Sequence, residues 1–143
     1  MIVTKSIALR MAEIAPLDDW VSEVLTTWGI SGRTAFKARL CITEVVTNTI
    51  ENADANLDDD IAVTLSRVAG NLQIEIVDRS QPFDPGAYIL PAVPSSLDAI
   101  DGGGNGLRLF QAYARNIHYE TDGRLNRLQI CVPCEHARDA RSS

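Results

Sequence analysis

The chain has 143 residues, of which 45% are hydrophobic and 22% charged, with a formal net charge of -6 and a pI near 4.8. This length suits one domain with its own core, and the composition is that of a globular protein rather than a disordered or fibrous one. An acidic chain has little positive surface with which to neutralise phosphates, so direct binding to nucleic acid is not expected.

The first part of the chain is predicted to form a strand and two helices. Loose alternation over residues 2–9 predicts the strand, and Pro16 followed by two aspartates is typical of a helix start. Apolar residues then recur at three- and four-residue steps, and Gly29 is well placed to end this helix. Ser31 can cap a second helix that runs to about Ala53.

Two β-hairpins are predicted in the rest of the chain. Strands over residues 61–68 and 72–77 would be joined by a Gly70-Asn71 turn, and strands over residues 116–121 and 125–132 by an Asp122-Gly123 turn.

Between the hairpins lies a segment rich in Pro, Gly, Ser and Asp, from Arg79 to Asn105, followed by a short predicted helix from Gly106 to Ala114. A loop of this length is usually functional.

This order of elements places about three helices on one face of a mostly antiparallel mixed sheet. The predicted fold class is therefore α+β, a two-layer sandwich. The domain is expected to span residues 1–133, and residues 134–143 form a polar C-terminal tail.

A polar ridge lies beside the apolar face of the second helix. At about 100° per residue, Glu44, Asn48 and Asn52 fall within about 80° of one another. A carboxylate can accept a proton or orient water, and an Asn carbonyl oxygen suits a hard cation such as Mg²⁺. Taken alone, a Glu and an Asn four residues apart more often belong to a solvated helix face.

Two further stretches have features of a nucleotide site. The run from Gly102 to Leu107 precedes the third predicted helix, where bare backbone and exposed N–H groups can surround phosphates. Asp78 closes an apolar strand and is followed by Ser80, Phe83 and Asp84. Taken singly, the glycine run could be a flexible turn, and the strand-end carboxylate could cap a turn.

Three motifs therefore occur in order along the chain: Glu44-Val-Val-Thr-Asn48, Asp78-Arg-Ser-Gln-Pro-Phe83-Asp84 and Gly103-Gly-Asn-Gly106-Leu107. Over about residues 5–132 the chain resembles the GHKL-type, histidine kinase-like ATP-binding domain shared by gyrase, the heat-shock chaperone, histidine kinases and mismatch-repair ATPases. Within that superfamily it is most similar to the small serine kinases that act as anti-sigma factors or switch proteins.

The resemblance implies ATP and Mg²⁺ as cofactors. It implies that Glu44 is the catalytic base or orients the attacking hydroxyl, that Asn48 ligates Mg²⁺, and that Asp78 receives the adenine amino group. It implies that Gly104 and Gly106 hold the phosphates through neighbouring backbone N–H groups. The other cofactor-binding candidates are Asn52, Phe83, Gly103, Asn105 and Leu107.

The resemblance also implies partners and a mobile element. The segment from Arg79 to Asn105 would be an ATP lid. The expected partners are a sigma factor, an antagonist (anti-anti-sigma) protein, or both, and a homodimer is left open.

Two residues depart from the family pattern. Ser80 stands where a glycine is usual, and Asn52 stands where many of these kinases have a histidine, so no cationic group can form there. A serine/threonine kinase acting on an antagonist protein is the favoured function. The alternatives are a binding module that has lost phosphotransfer and the detached catalytic domain of a histidine kinase, which would lack its phospho-accepting helix.

The cysteines are not expected to carry chemistry. Cys131-Val-Pro-Cys134 and His136 have the spacing of part of a zinc or redox site, but they end a strand and enter a polar tail. Cys41 and His118 are expected to be packing residues. With three cysteines and no apolar run near the roughly 20 residues that span a bilayer, the expected location is the cytoplasm, without a membrane partner.

Overall fold

The computed structural model describes residues 1–53, 60–87 and 104–134. The elements, in chain order, are β1 Ile2–Ala8, a 3₁₀ turn Met11–Glu13, α1 Ile14–Thr27, α2 Gly32–Glu51, β2 Asp60–Val68, β3 Asn71–Asp78, α3 Gly104–Tyr113, β4 Arg115–Thr121 and β5 Asn126–Pro133. The predicted order of strands and helices is confirmed, with most ends shifted by one or two residues.

The five strands form one sheet in the order β1-β2-β3-β5-β4. Each neighbouring pair is antiparallel, and the two hairpins meet where β3 pairs with β5. The predicted class, α+β with three helices against a mostly antiparallel sheet, is confirmed. Within the described ranges the sheet has no parallel pair.

The core fills the space between the three helices and one face of the sheet. Alternate residues of β3 point into it, and Leu72, Ile74 and Ile76 are at most 1% exposed. The helices contribute Leu17, Val21, Leu25, Ala38, Ile42, Val45, Val46 and Phe110. Because strand side chains alternate, Asp78 follows the same inward series and brings a carboxylate to the end of the core.

The turn between β2 and β3 is one residue earlier than predicted. Val68 pairs with Asn71, which leaves Ala69 and Gly70 as a two-residue turn with φ of 49° and 80°. Two positive φ angles are the geometry that a type I′ hairpin turn requires. The sequence prediction placed Gly70 and Asn71 in the turn because Gly-Asn is a common turn pair. It was wrong because Asn71 pairs with Val68 and so belongs to β3.

Polar contacts fix the two long helices to each other and to the sheet. The Arg39 guanidinium donates two hydrogen bonds to Asp18, of 3.0 and 2.7 Å, and so joins α2 to α1. The Arg67 guanidinium of β2 donates to the carbonyl of Trp28, the residue that caps the C-terminus of α1. Ser31 occupies the N-cap position of α2 as predicted, but its side chain makes no capping bond.

Across the described ranges, none of the helices combines the length and apolar character needed to cross a membrane.

Candidate functional site

The polar residues predicted from separate parts of the sequence meet under the C-terminal half of α2, where β3 ends. Asn48, Asn52, Asp78 and Phe83 line one small cavity. The cavity has a volume of about 20 Å³, which is room for roughly one water molecule. The ridge on α2 and the strand-end motif therefore belong to a single site.

Glu44 joins this site to the glycine-rich motif. Its carboxyl group lies directly against Gly106 in the first turn of α3, and a Cβ atom placed on Gly106 would collide with Cδ and both oxygens of Glu44. A side chain at position 106 would therefore displace the Glu44 carboxyl group. Burial raises the pKa of the half-buried Glu44 carboxyl, and the nearby charge of Glu51 raises it further. A carboxyl shifted in this direction is better suited to accept a proton.

Asn48 has a buried polar atom, its Nδ2, that finds no hydrogen-bond partner among the described residues. Leaving such a group unpaired costs stability, and it is typical of a group that a ligand completes. A half-turn of the amide exchanges Nδ2 for Oδ1, so the same position can present an oxygen to a cation. Since Mg²⁺ keeps several waters and takes only one or two protein ligands beside phosphate oxygens, the residues present fit a magnesium-nucleotide complex.

Asn52 lies at the C-cap of α2, one residue before the predicted end of that helix. Its Nδ2 donates to the backbone carbonyl of Asn48 at 2.7 Å and lies 3.5 Å from Asn48 Oδ1. Asn52 is thus part of the cavity wall, and its amide also completes the end of the helix.

Asp78 is 9% exposed, and one of its two oxygens is fully committed to the protein. Oδ1 accepts hydrogen bonds from Ser80 N at 2.9 Å, Ser80 Oγ at 2.6 Å and Asn126 Nδ2 at 2.9 Å. No hydrogen bond from the described residues reaches Oδ2. That oxygen therefore keeps its capacity to accept a hydrogen bond from a ligand.

Asn126 lines the same cavity, is 3% exposed and is held in place by polar neighbours. Asn126 is the cross-strand partner of both Asp78 on β3 and Thr121 on β4. Its Nδ2 also donates to the carbonyl of Ser80 at 2.8 Å, and its Oδ1 accepts from Thr121 Oγ1 at 2.6 Å. The Tyr119 hydroxyl donates to the same Oδ1 at 3.4 Å.

Sequence reasoning missed Asn126, Thr121 and Tyr119. Their roles depend on the pairing of β5 with both β3 and β4. Local sequence patterns do not determine the pairing of β3 with β5. The available signal was an asparagine near the start of an otherwise apolar predicted strand, where a buried amide needs partners.

The described part of the predicted lid, residues 79–87, contributes Ser80 and Phe83 to the cavity wall. The Phe83 N–H donates to the Tyr119 hydroxyl at 3.0 Å, and Gln111 Nε2 of α3 donates to the carbonyl of Pro85 at 2.8 Å. A second cavity of about 20 Å³ lies under Phe83 and Pro85. Asp84 caps a turn, because its Oδ1 accepts from the N–H groups of Gly86 and Ala87 at 2.9 and 3.3 Å.

The glycine-rich motif begins α3 instead of preceding it. Gly104 is the first residue of the helix, Asn105 is the second, and Leu107 is 5% exposed, so its side chain is mainly a packing group. Gly103 and the remainder of the predicted lid, residues 88–103, lie outside the described residues.

A larger hollow of about 320 Å³ lies on the opposite face of the sheet and contains none of the predicted site residues. His118 lines it and is exposed, with Nε2 2.7 Å from Glu120 Oε1, so the prediction that His118 is a packing residue was wrong. The strand alternation of β4 turns this side chain away from the core.

The cysteines lie apart from the candidate site. Cys131 lines the hollow, whereas Cys134 packs against the core, so the two thiols of the Cys-Val-Pro-Cys segment face opposite sides of the sheet. Cys41 is fully buried, as predicted, and burial raises the pKa of its thiol to about 12.

Comparisons with known proteins agree with the resemblance. The family model for the histidine kinase-like ATPase domain matches residues 7–132. The serine/threonine-protein kinase BtrW of Bordetella bronchiseptica is 26% identical over 112 residues, which cover 78% of this chain and 79% of BtrW.

Two solved structures are similar. The structure of the RsbU and RsbW domains of Rv1364c from Mycobacterium tuberculosis matches with a TM-score of 0.69 at 13% identity, covering 95% of this chain but only 33% of that one. The Acinetobacter baumannii histidine kinase AdeS matches with a TM-score of 0.47 at 12% identity, covering 92% of this chain and 68% of that one. The family match over residues 7–132 shows that this chain belongs to the histidine kinase-like ATPase domain family.

Proposed function

We propose that the chain is an ATP-binding regulatory protein, an anti-sigma factor that phosphorylates a serine or threonine of an antagonist protein. The observation that carries the proposal is the meeting of three distant motifs: Glu44 contacts Gly106, and Asn48, one helical turn further on, lines the same cavity as Asp78. Family membership supports nucleotide binding, and the relative BtrW, which is named as a serine/threonine kinase, supports phosphotransfer.

Each group has a role that its chemistry allows. Asp78 Oδ2 accepts a hydrogen bond from the adenine amino group, and the Asn48 amide oxygen holds Mg²⁺. The backbone N–H groups around Gly104 and Gly106, at the N-terminus of α3, face the phosphates. Bound Mg²⁺ neutralises phosphate charge. Glu44 orients the incoming hydroxyl and takes its proton.

The closed cavity favours a second candidate, a binding module that retains the fold and has lost phosphotransfer. Ligand pockets usually have about 300 to 1,000 Å³, whereas the cavity beside Asp78 has about 20 Å³. We therefore infer that the segment that carries Phe83 moves when the base of a nucleotide enters. The Ser80 hydroxyl, where the family usually has glycine, already occupies Asp78 Oδ1.

Calorimetric titration with Mg-ATP, followed by transfer of labelled phosphate to antagonist proteins encoded beside this chain, tests the two candidates. The kinase proposal predicts saturable binding and label on a serine or threonine of an antagonist. Nucleotide binding without transfer to any of these antagonists would select the binding module. Absence of Mg-ATP binding would overturn the assignment of the site.

A further inference from the structure

We propose that Asn126, together with Ser80, selects the base of the bound nucleotide by fixing Asp78 as a hydrogen-bond acceptor. The site would then take a purine with an amino group at C6 and reject one with a carbonyl there. This inference rests on the proposed function and extends it to two positioning residues that act through Asp78.

The first step is the orientation of the carboxylate. Three donors from two residues converge on Asp78 Oδ1 at 2.6 to 2.9 Å, so rotation of the carboxylate would break all three bonds. An ionised carboxylate only accepts hydrogen bonds. The uncommitted Oδ2 therefore offers the cavity an acceptor in a fixed place.

The second step is the orientation of the Asn126 amide, which its neighbours determine without ambiguity. Both hydrogens of Nδ2 are used, one on Asp78 Oδ1 and one on the carbonyl of Ser80. Its Oδ1 faces the hydroxyl of Thr121. A flipped amide would place its carbonyl oxygen against a carboxylate and a carbonyl, so only the donor end can face Asp78.

The third step is selectivity. A ligand amino group donates a hydrogen bond to Asp78 Oδ2. A ligand carbonyl at the same place would leave two hydrogen-bond acceptors facing each other in a buried site. A site built to hydrogen-bond a particular group rejects analogues that lack it, because its own buried group is then unpaired. Asn126 itself lines the cavity, and its Oδ1 accepts from the Tyr119 hydroxyl, whose oxygen accepts from the Phe83 N–H.

The test compares the affinities of the whole chain for Mg-ATP and for Mg-ITP, the inosine analogue with a carbonyl at C6, in competition titrations. Wild type should prefer ATP by about 10-fold or more, the effect of one hydrogen bond to a charged group. Asn126→Ala should lose most of that preference, because Asp78 Oδ1 then loses its hydrogen bond from β5 and keeps only those from the adjacent Ser80. A purely structural role of Asn126 would weaken both ligands alike and leave the ratio unchanged.

Two further variants keep the test decisive if Asn126→Ala does not fold. Asn126→Ser retains one donor and should restore part of the preference, and Ser80→Ala removes only the Oγ bond and should reduce the preference less. Gln129→Ala, on the opposite face of β5, is the matched control and should leave the ratio at its wild-type value.

The outcomes separate the inference from the proposed function. Wild type that binds both nucleotides equally, or folded Asn126 and Ser80 variants that keep the wild-type ratio, would overturn the inference while ATP binding stands. Wild type that binds neither nucleotide would overturn the proposed function and the inference with it.

Discussion

Glu44 keeps its carboxyl group against α3 because Gly106 has no side chain. Burial and the charge of Glu51 raise the pKa of that carboxyl. A carboxyl whose pKa is higher in the folded than in the unfolded state binds protons more tightly when folded, so its ionisation costs folding free energy. The residue proposed to act in chemistry therefore weakens the fold at neutral pH.

Replacing Glu44 with Gln should remove this cost. The free energy of unfolding of Glu44→Gln should exceed that of wild type at pH 7. The difference should shrink as the pH falls through the raised pKa of Glu44 and vanish below the ordinary pKa of Glu, where both states are protonated. Denaturant unfolding between pH 4 and pH 8 measures it. A constant difference across this range would mean that Glu44 is not the titrating group.

The same substitution should separate binding from chemistry. Glu44→Gln should bind Mg-ATP about as well as wild type. It should phosphorylate the antagonist at least about 100-fold more slowly, because a general base usually contributes a rate factor of this size. Glu23→Gln, at an exposed position of α1, is the control and should transfer phosphate normally. Transfer by Glu44→Gln at the wild-type rate would show that the role given to Glu44 is wrong.

At the level of elements, the β2–β3 hairpin contains a local conflict between sequence and geometry. Ala69 has a positive φ of 49°, a conformation that an L-residue with a Cβ atom adopts at a cost. Gly70, at φ 80°, has the residue type that this geometry favours. The register of β2 and β3 imposes the turn, since Val68 and Asn71 pair directly across it.

Ala69→Asn should therefore stabilise the protein by about 1 kcal/mol, because Asn tolerates the left-handed region better than Ala. Thermal or denaturant unfolding gives the measurement. Gly70→Ala is the opposite control and should destabilise by a similar amount. If Ala69→Asn lowered the free energy of unfolding, the turn would not have this geometry in solution.

The elements differ in how well the sequence predicts them. Periodicity located α2 and its polar ridge, because every residue in that argument lies within five turns of one helix. The motifs identified Asp78 and Gly106 separately. The contact of Gly106 with Glu44 and the bonds of Asn126 depend on packing between distant segments, which a local pattern does not encode. The exposure of the His118 side chain likewise depends on which face of β4 it occupies.

For the whole molecule, the candidate site exists only when the entire domain is folded. It draws on α2, the end of β3, the start of α3 and, through Asn126, on β5. A ligand that binds only this assembly stabilises the complete fold, by about 2.7 kcal/mol at a concentration of about 100 times its Kd. Nucleotide binding should thus be visible as a change in global stability.

Mg-ATP should raise the melting temperature of wild type in a concentration-dependent way. Asp78→Asn should reduce this shift, because the substitution replaces a pure acceptor by an amide that can present a donor to the adenine amino group. The shift caused by inorganic triphosphate with Mg²⁺ should change less. Equal losses for the two ligands would mean that Asp78 supports the fold and does not read the base.

The closed state of the cavity under Phe83 and Pro85 has a kinetic consequence. If only one molecule in about 100 has this segment displaced, the apparent affinity for nucleotide is about 100-fold weaker than the intrinsic affinity of the open site. Association would then be gated, with an observed rate that reaches a plateau as nucleotide concentration rises. A partner protein that held the segment away from Tyr119 could switch nucleotide capture on without touching the nucleotide itself.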